Sequence, residues 1–136
     1  MPLIETARAN GIATIRLNRP ERKNAINDAM VHVLTDAFQA LADDTDTRVV
    51  LLTAAGPDYW AGGDLTSLAE WLSPDPDTRS AKFRASVLSL SKSLSLAIQR
   101  VPQPVVGAVR GHVIGVALQM VITAFAGKRS PIFSGQ

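Results

Sequence analysis

The sequence predicts an α/β fold built on a parallel sheet, and three observations carry that expectation. Arg48-Val49-Val50-Leu51-Leu52-Thr53 and the run from Val105 to Val109 are short, continuous apolar stretches, as in strands buried on both faces of a sheet flanked by helices. Before and between them lie stretches whose apolar residues recur every three or four positions, the period of a helix with one buried face. Each apolar run is followed by a glycine-bearing turn that opens a further helical stretch, so a unit of buried strand, glycine turn and helix start occurs twice. A strand, a helix and a strand in that order imply a right-handed crossover. With 136 residues, 46% of them apolar and 19% charged, the chain reads as a single domain over residues 1–136 around one core.

The elements follow in order. Leu3-Ile4 and the alternating stretch from Gly11 to Leu17 form the expected opening hairpin across Ala9-Asn10-Gly11. Asn18 to Asn24 is a polar loop holding Pro20 and most of the local charge. Met30, Val31, Leu34, Ala37, Phe38 and Leu41 define the core face of a helix with Asn27 or Asp28 as its N-cap. After the first apolar strand, residues 54–65 carry turn residues at both ends and the pair Tyr59-Trp60 between. A short helical run to Leu72 is followed by a break at Ser73-Pro74-Asp75-Pro76-Asp77, where two prolines and two acids expose the chain. A long helix from Thr78 to Arg100 is expected to bury Phe83, Val87, Leu88, Leu94 and Ile98. Pro102-Gln103-Pro104 stops it, Val105 to Val109 is the second buried strand, and Arg110 to Gly115 turns into a last helix through Ala117, Leu118, Met120 and Val121.

Composition excludes several functions. Lys and Arg number 14 against 12 Asp and Glu, so the net charge of +2 offers no field to steer a polyanion. The basic groups Arg19, Arg22, Lys23 and Lys128, Arg129 lack the interleaved aromatics of a nucleic-acid stripe. Without cysteine there is no disulfide, thiolate metal site or cysteine nucleophile. The N-terminus has no basic segment followed by an apolar run, and the longest apolar stretch, Val113 to Met120, is too short to span a bilayer. The expectation is a soluble, cytoplasmic protein with neither a nucleic-acid nor a membrane partner.

Chemistry is concentrated in the two glycine turns. A strand that ends in glycines and opens a helix leaves backbone N–H groups unpaired, with the helix dipole favouring negative charge beside them. If Gly63 and the residue after Gly115, Val116, each present an amide to one oxygen, the result is an oxyanion hole, worth about two to three orders of magnitude in rate per donor. A Gly-Gly-Asp triplet serves equally as a tight turn, with Asp64 capping the helix that follows.

Order and flanks add a resemblance. Asn18-Arg19-Pro20-Glu21-Arg22-Lys23-Asn24-Ala25-Ile26, Tyr59-Trp60-Ala61-Gly62-Gly63-Asp64-Leu65 and the segment from Pro104 to Gly115 resemble three successive signatures of the crotonase (enoyl-CoA hydratase/isomerase) superfamily. The similarity runs from Ile4 to about Phe133, the N-terminal part of that domain. It implies a crotonase-like spiral of ββα units, truncated relative to the full domain. It also implies an acyl-CoA substrate, with no metal or redox cofactor and coenzyme A present only as part of the substrate. By resemblance, the Gly63 amide is the first oxyanion donor and the Val116 amide the second. The resemblance likewise implies Arg22 near CoA phosphate, Ala25 and Asp64-Leu65 around the adenine, and Ala61-Gly62 along the pantetheine path. An arginine in a polar loop can chelate phosphate through two N–H groups, and small residues let a thin pantetheine arm approach the backbone. A solvated loop charge is the plain alternative for Arg22.

The chain departs from the family pattern in three places. Gly115-Val116-Ala117 stands where three glycines are usual, so Cβ atoms crowd the thioester. Gln119 stands where hydratases carry a glutamate; it can orient a water or substrate but cannot accept a proton at neutral pH. The place of the second catalytic acid, and of the C-terminal helices that build the family's trimers, falls beyond Gln136. Among other ionisable groups, His112 reads as a polar turn residue, His32 as a helix-surface residue, and Glu70 sits on a short helix of unassigned orientation. The expected function is therefore an enzyme of the enoyl-CoA hydratase/isomerase type that stabilises a thioester enolate, homo-oligomeric by resemblance as a trimer or hexamer. The alternatives are a noncatalytic or vestigial acyl-CoA binding module or truncated family member, and an α/β interaction protein whose glycines serve turns only.

Overall fold

Asn10 and Gly11 both adopt left-handed φ, 53° and 77°, the two-residue loop whose twist matches that of the strands it joins. In the computed structural model, which describes residues 1–66, 74–85 and 91–115, this turn closes the expected hairpin. Strand β1 (Ile4–Ala9) runs antiparallel to β2 (Ile12–Leu17), with Ile4 opposite Leu17 and Ala9 opposite Ile12.

Helix α1 (Asp28–Ala42) begins where Asn27 accepts from the Met30 amide at 2.9 Å, which settles the cap on Asn27. Its periodic residues Met30, Val31, Leu34, Phe38 and Leu41 are buried, and Ala37 packs beside them. The helix returns the chain to β3 (Val49–Ala54), parallel to β2 in a register that sets Ala13, Ile15 and Leu17 against Val50, Leu52 and Ala54. All six are buried, so the register fixes one inward face. Strand β4 (Val105–Gly107) then pairs parallel to β3, and the described strands form one sheet in the order β1-β2-β3-β4.

Helices α2 (Pro76–Phe83) and α3 (Ser91–Arg100) precede β4. Leu94, Ala97 and Ile98 of α3 join α1 and the inward sheet face in the core, with Val101 just beyond. Buried Gln103 fastens this layer, donating from Nε2 to the carbonyls of Leu41 at 3.1 Å and Asp44 at 2.7 Å. Among the described residues no helix is long and apolar enough to cross a membrane.

Several expectations are corrected. Strand β3 is not buried on both faces: Val50, Leu52 and Ala54 are inside, while Val49, Leu51 and Thr53 are half-buried, because the helical residues of the core meet only the inward set. Strand β4 stops at Gly107, and Val106 is 50% exposed. Finally, the break at 73–77 contains a helix start. Asp75 accepts from the Thr78 amide at 2.8 Å, and Pro76, whose fixed φ suits the first helical position, opens α2. Helix α2 buries nothing, and Phe83, expected inside, is 49% exposed. The expected core residues Val87 and Leu88, the helical run to Leu72 and the helix after Gly115 lie outside the described residues.

Candidate functional site at the glycine turns

Three chain segments far apart in sequence run side by side past the end of β3. The middle one is Tyr59 to Gly63. On one flank Tyr59 N donates to Arg110 O at 2.8 Å, Trp60 N to His112 O at 2.9 Å, and Ile114 N to Trp60 O at 3.2 Å. On the other flank Ala61 N donates to Lys23 O at 3.0 Å, Ile26 N to Gly62 O at 2.8 Å, and Asp64 N to Ile26 O at 2.8 Å. These contacts make parallel bridges, Trp60 with Val113 and Ile26 with Gly63. The three sequence signatures are thus neighbours in space.

The geometry at Gly62 and Gly63 follows from these bonds. Gly62 sits at φ 91°, and a Cβ there would lie 2.7 Å from Ile114 O and 4.0 Å from Gly115 Cα, so only glycine lets the two turns touch. The Gly62 carbonyl and the Gly63 N–H belong to one peptide plane and, in a trans peptide, point in opposite directions. With that carbonyl held by Ile26 N, the Gly63 N–H faces away from the 23–26 segment, toward the flank where 110–115 runs. It has no acceptor among the described residues, and a Cβ on Gly63 would meet nothing within 4 Å.

Side chains hold the segments in register. Asn24 is fully buried at φ 54°, a conformation asparagine tolerates better than most residues. Its Nδ2 donates to Ala55 O at 2.9 Å and Asp58 O at 2.8 Å, and its Oδ1 accepts from Arg19 N at 2.9 Å. Arg19 forks between Ala25 O, from Nη1 at 2.6 Å, and Asp64 Oδ2, from Nη2 at 2.9 Å. The Asp64 Oδ1 accepts from Thr66 N at 2.9 Å, capping the turn that follows. Burial alone would raise the Asp64 carboxyl, but the Thr66 amide and the Arg19 guanidinium outweigh it and hold the group below the ordinary carboxylate value.

On the other flank, Asp58 Oδ1 lies 2.5 Å from His112 Nδ1 and accepts from His112 N at 3.2 Å; these bonds to His112 hold the Asp58 carboxyl low. His112 is therefore a turn residue with a partner, as expected. Arg110 donates to the Ala54 carbonyl, and to Gly56 O from Nη2 at 2.6 Å. The Tyr59 hydroxyl and Trp60 Nε1 are buried without a partner among the described residues, and burial pushes the Tyr59 hydroxyl up.

The expected CoA-binding residues and Gly63 fall among the described residues. Arg22 ends a single 3-10 turn (Pro20–Arg22), exposed and with no side-chain partner among the described residues. Ala25 and Ala61 are half-buried, Gly62 is buried, Gly63 is exposed, and Leu65 is 78% exposed. The carboxylate of Asp64 is taken up by Arg19 and Thr66, and its amide by the Ile26 carbonyl. Val116, Gln119 and Glu70 lie outside the described residues, and His32 is exposed on α1. Arg19 was missed: its acidic partner is 45 residues away, and nothing local in the sequence announces the pair. Among the described residues no cluster of three His, Cys, Asp or Glu gathers to hold a metal. A separate groove of about 240 Å³ opens between the hairpin and α1, lined by Thr6, Arg8, Ala13 and Ala37 among others, none of them in the glycine turns.

The profile of the enoyl-CoA hydratase/isomerase family matches residues 7–128. A probable enoyl-CoA hydratase of Mycobacterium bovis is 35% identical over 118 residues, which are 87% of this chain and 43% of that protein. The mitochondrial Δ(3,5)-Δ(2,4)-dienoyl-CoA isomerase of Mus musculus is 32% identical over 119 residues, 85% of this chain and 36% of that one. The crystal structure of an enoyl-CoA hydratase from Mycobacterium smegmatis superposes with a TM-score of 0.77 at 34% identity, covering 90% of this chain and 46% of that chain. This chain therefore spans less than half the length of these proteins, and its mixed sheet and helices are the corresponding portion of the crotonase fold. By the extent of that match and the three signatures brought side by side, the chain belongs to the enoyl-CoA hydratase/isomerase family.

Proposed function

We propose that this chain supplies the acyl-CoA binding, oxyanion-forming portion of an enzyme of the enoyl-CoA hydratase/isomerase type. The observation that carries the proposal is the Gly63 N–H, held pointing away from Ile26 beside the 114–115 turn and free of any described acceptor. In the proposed chemistry a thioester carbonyl oxygen accepts from Gly63 and from the Val116 amide. Charge that moves onto this oxygen as a thioester enolate forms is then stabilised by fixed donors, each worth about two to three orders of magnitude in rate. Exposed Arg22 pairs with CoA phosphate, Ala25 and Asp64-Leu65 border the adenine, and Ala61-Gly62 border the pantetheine arm. Gln119 orients the substrate or a water, and proton transfer falls to a group outside these residues. Coenzyme A enters only as part of the substrate. A cytoplasmic setting and a homo-oligomeric assembly, trimer or hexamer, belong to the same proposal.

A noncatalytic acyl-CoA binding module is the second reading, favoured by Gln119 where a hydratase carries glutamate. Calorimetric titration with acetyl-CoA and a turnover assay with an enoyl-CoA separate the two. Binding with turnover that disappears in Gly63→Pro, which deletes the amide, supports the enzyme. Binding without turnover selects the module. No heat at high acetyl-CoA concentration removes both and leaves a fold whose glycines serve turns.

A further inference from the structure

We propose that Arg19 is a positioning residue that aims the Gly63 amide at the thioester oxygen; this rests on the function proposed above. Both terminal nitrogens of Arg19 are already engaged within the protein. Arg19 acts on the two residues that flank the Ile26–Gly63 bridge, holding Ala25 through its carbonyl at 2.6 Å and Asp64 through its carboxylate at 2.9 Å. Between those grips lie the bonds from Ile26 N to Gly62 O and from Asp64 N to Ile26 O, both 2.8 Å. The first of these fixes the peptide plane that carries the Gly63 N–H.

The fork therefore works as a clamp across the bridge. Its two side chains are only 14% and 9% exposed, which favours a fixed geometry over a solvated ion pair. Loosening it lets the Gly62–Gly63 peptide rotate, since both glycines lack side chains to resist. A rotated plane keeps the pocket's small residues in place but turns its donor aside. The effect of Arg19 should thus fall on recognition of the thioester group and spare recognition of the rest of coenzyme A.

The test compares acetyl-CoA with free CoA by calorimetric titration of the whole chain, alongside urea unfolding, for wild type, Arg19→Gln, Arg19→Lys, Asp64→Asn and the double variant Arg19→Gln/Asp64→Asn. Asp64→Asn preserves side-chain size and can still accept from Thr66, so it keeps the test sound if Arg19→Gln unfolds. The wild type should prefer acetyl-CoA by about tenfold, the worth of one well-placed hydrogen bond. That preference should vanish in Arg19→Gln and in Asp64→Asn, CoA affinity should hold within about twofold in Arg19→Gln, and the double variant should lose no more of the preference than either single one. Arg19→Lys, with one compact donor in place of a fork, should keep part of the preference. Parallel loss for both ligands, or a preference kept in folded Arg19→Gln or Asp64→Asn, overturns the positioning role alone. A wild type that binds acetyl-CoA no better than CoA overturns the oxyanion role and this inference with it.

Discussion

Two adjacent glycines should respond to the same substitution in opposite ways. At Gly62 an alanine meets two costs. Its φ of 91° lies in a region that side chains rarely adopt, a strain of about 1 to 3 kcal/mol. Its Cβ would lie 2.7 Å from the Ile114 carbonyl oxygen, against ordinary contact beyond about 3.4 Å, and the obstacle is backbone that cannot rotate away. Forcing those segments apart costs about 1 to 3 kcal/mol more, so the whole loss is about 2 to 6 kcal/mol. At Gly63 a Cβ meets nothing within 4 Å, and its φ is not among the positive ones, so Gly63→Ala should stay within about 0.5 kcal/mol of wild type. Urea unfolding reads the difference: at a slope of about 2 kcal/mol/M, Gly62→Ala lowers the midpoint by at least about 1 M at unchanged slope, and Gly63→Ala leaves it alone. Equal shifts for the two, or a larger one at Gly63, would refute the packing of the 62–63 turn against 114–115.

Asn24→Ala should cost about 3 kcal/mol or more in thermal or urea unfolding, since it leaves the Ala55 and Asp58 carbonyls and the Arg19 amide without their side-chain partner; a loss under about 1 kcal/mol would contradict the buried hub. Asp64, held below the ordinary carboxylate value, contributes stability that is present above that value and lost as pH falls through its lowered one. Asp64→Asn should therefore flatten the acid arm of the stability profile below about pH 4, and an unchanged arm in urea titrations from about pH 2 to 7 counts against the ion pair. Ile12, Leu51 and Val106 share the outward sheet face, with Ile12 and Val106 well exposed, so the chain should self-associate, and Val106→Lys should reduce it. Light scattering that finds wild type monomeric at high concentration would refute this.

What the sequence made legible was local. Asn10-Gly11 between alternating residues specifies its hairpin, and the three-and-four spacing from Met30 to Leu41 specifies the buried face of α1, because the signals lie within a few residues of their effect. Pro76 misled because proline both breaks helices and starts them, and Asp75 before it decides between the two. The apolar run of β3 reads alike for a strand covered on both faces and for one covered on one, since alternation is hidden when both sets are aliphatic. Helical period extended through Phe83 without revealing that α2 buries none of its residues. At the site, the signatures marked the three segments that the fold brings side by side. Their pairing, the opposed directions of the Gly62 carbonyl and Gly63 N–H, and the Arg19–Asp64 clamp depend on residues tens of positions apart, and no spacing encodes them.

The most direct measurement is the amide resonance of Gly63 in isotope-labelled protein, followed through titrations with acetyl-CoA and with free CoA. A carbonyl oxygen accepting from this N–H should move the Gly63 proton downfield with acetyl-CoA and leave it nearly still with CoA, while the Ile26 and Asp64 amides, already bonded to Gly62 and Ile26 carbonyls, shift little with either. Saturable acetyl-CoA binding that leaves the Gly63 amide unmoved would contradict the oxyanion role.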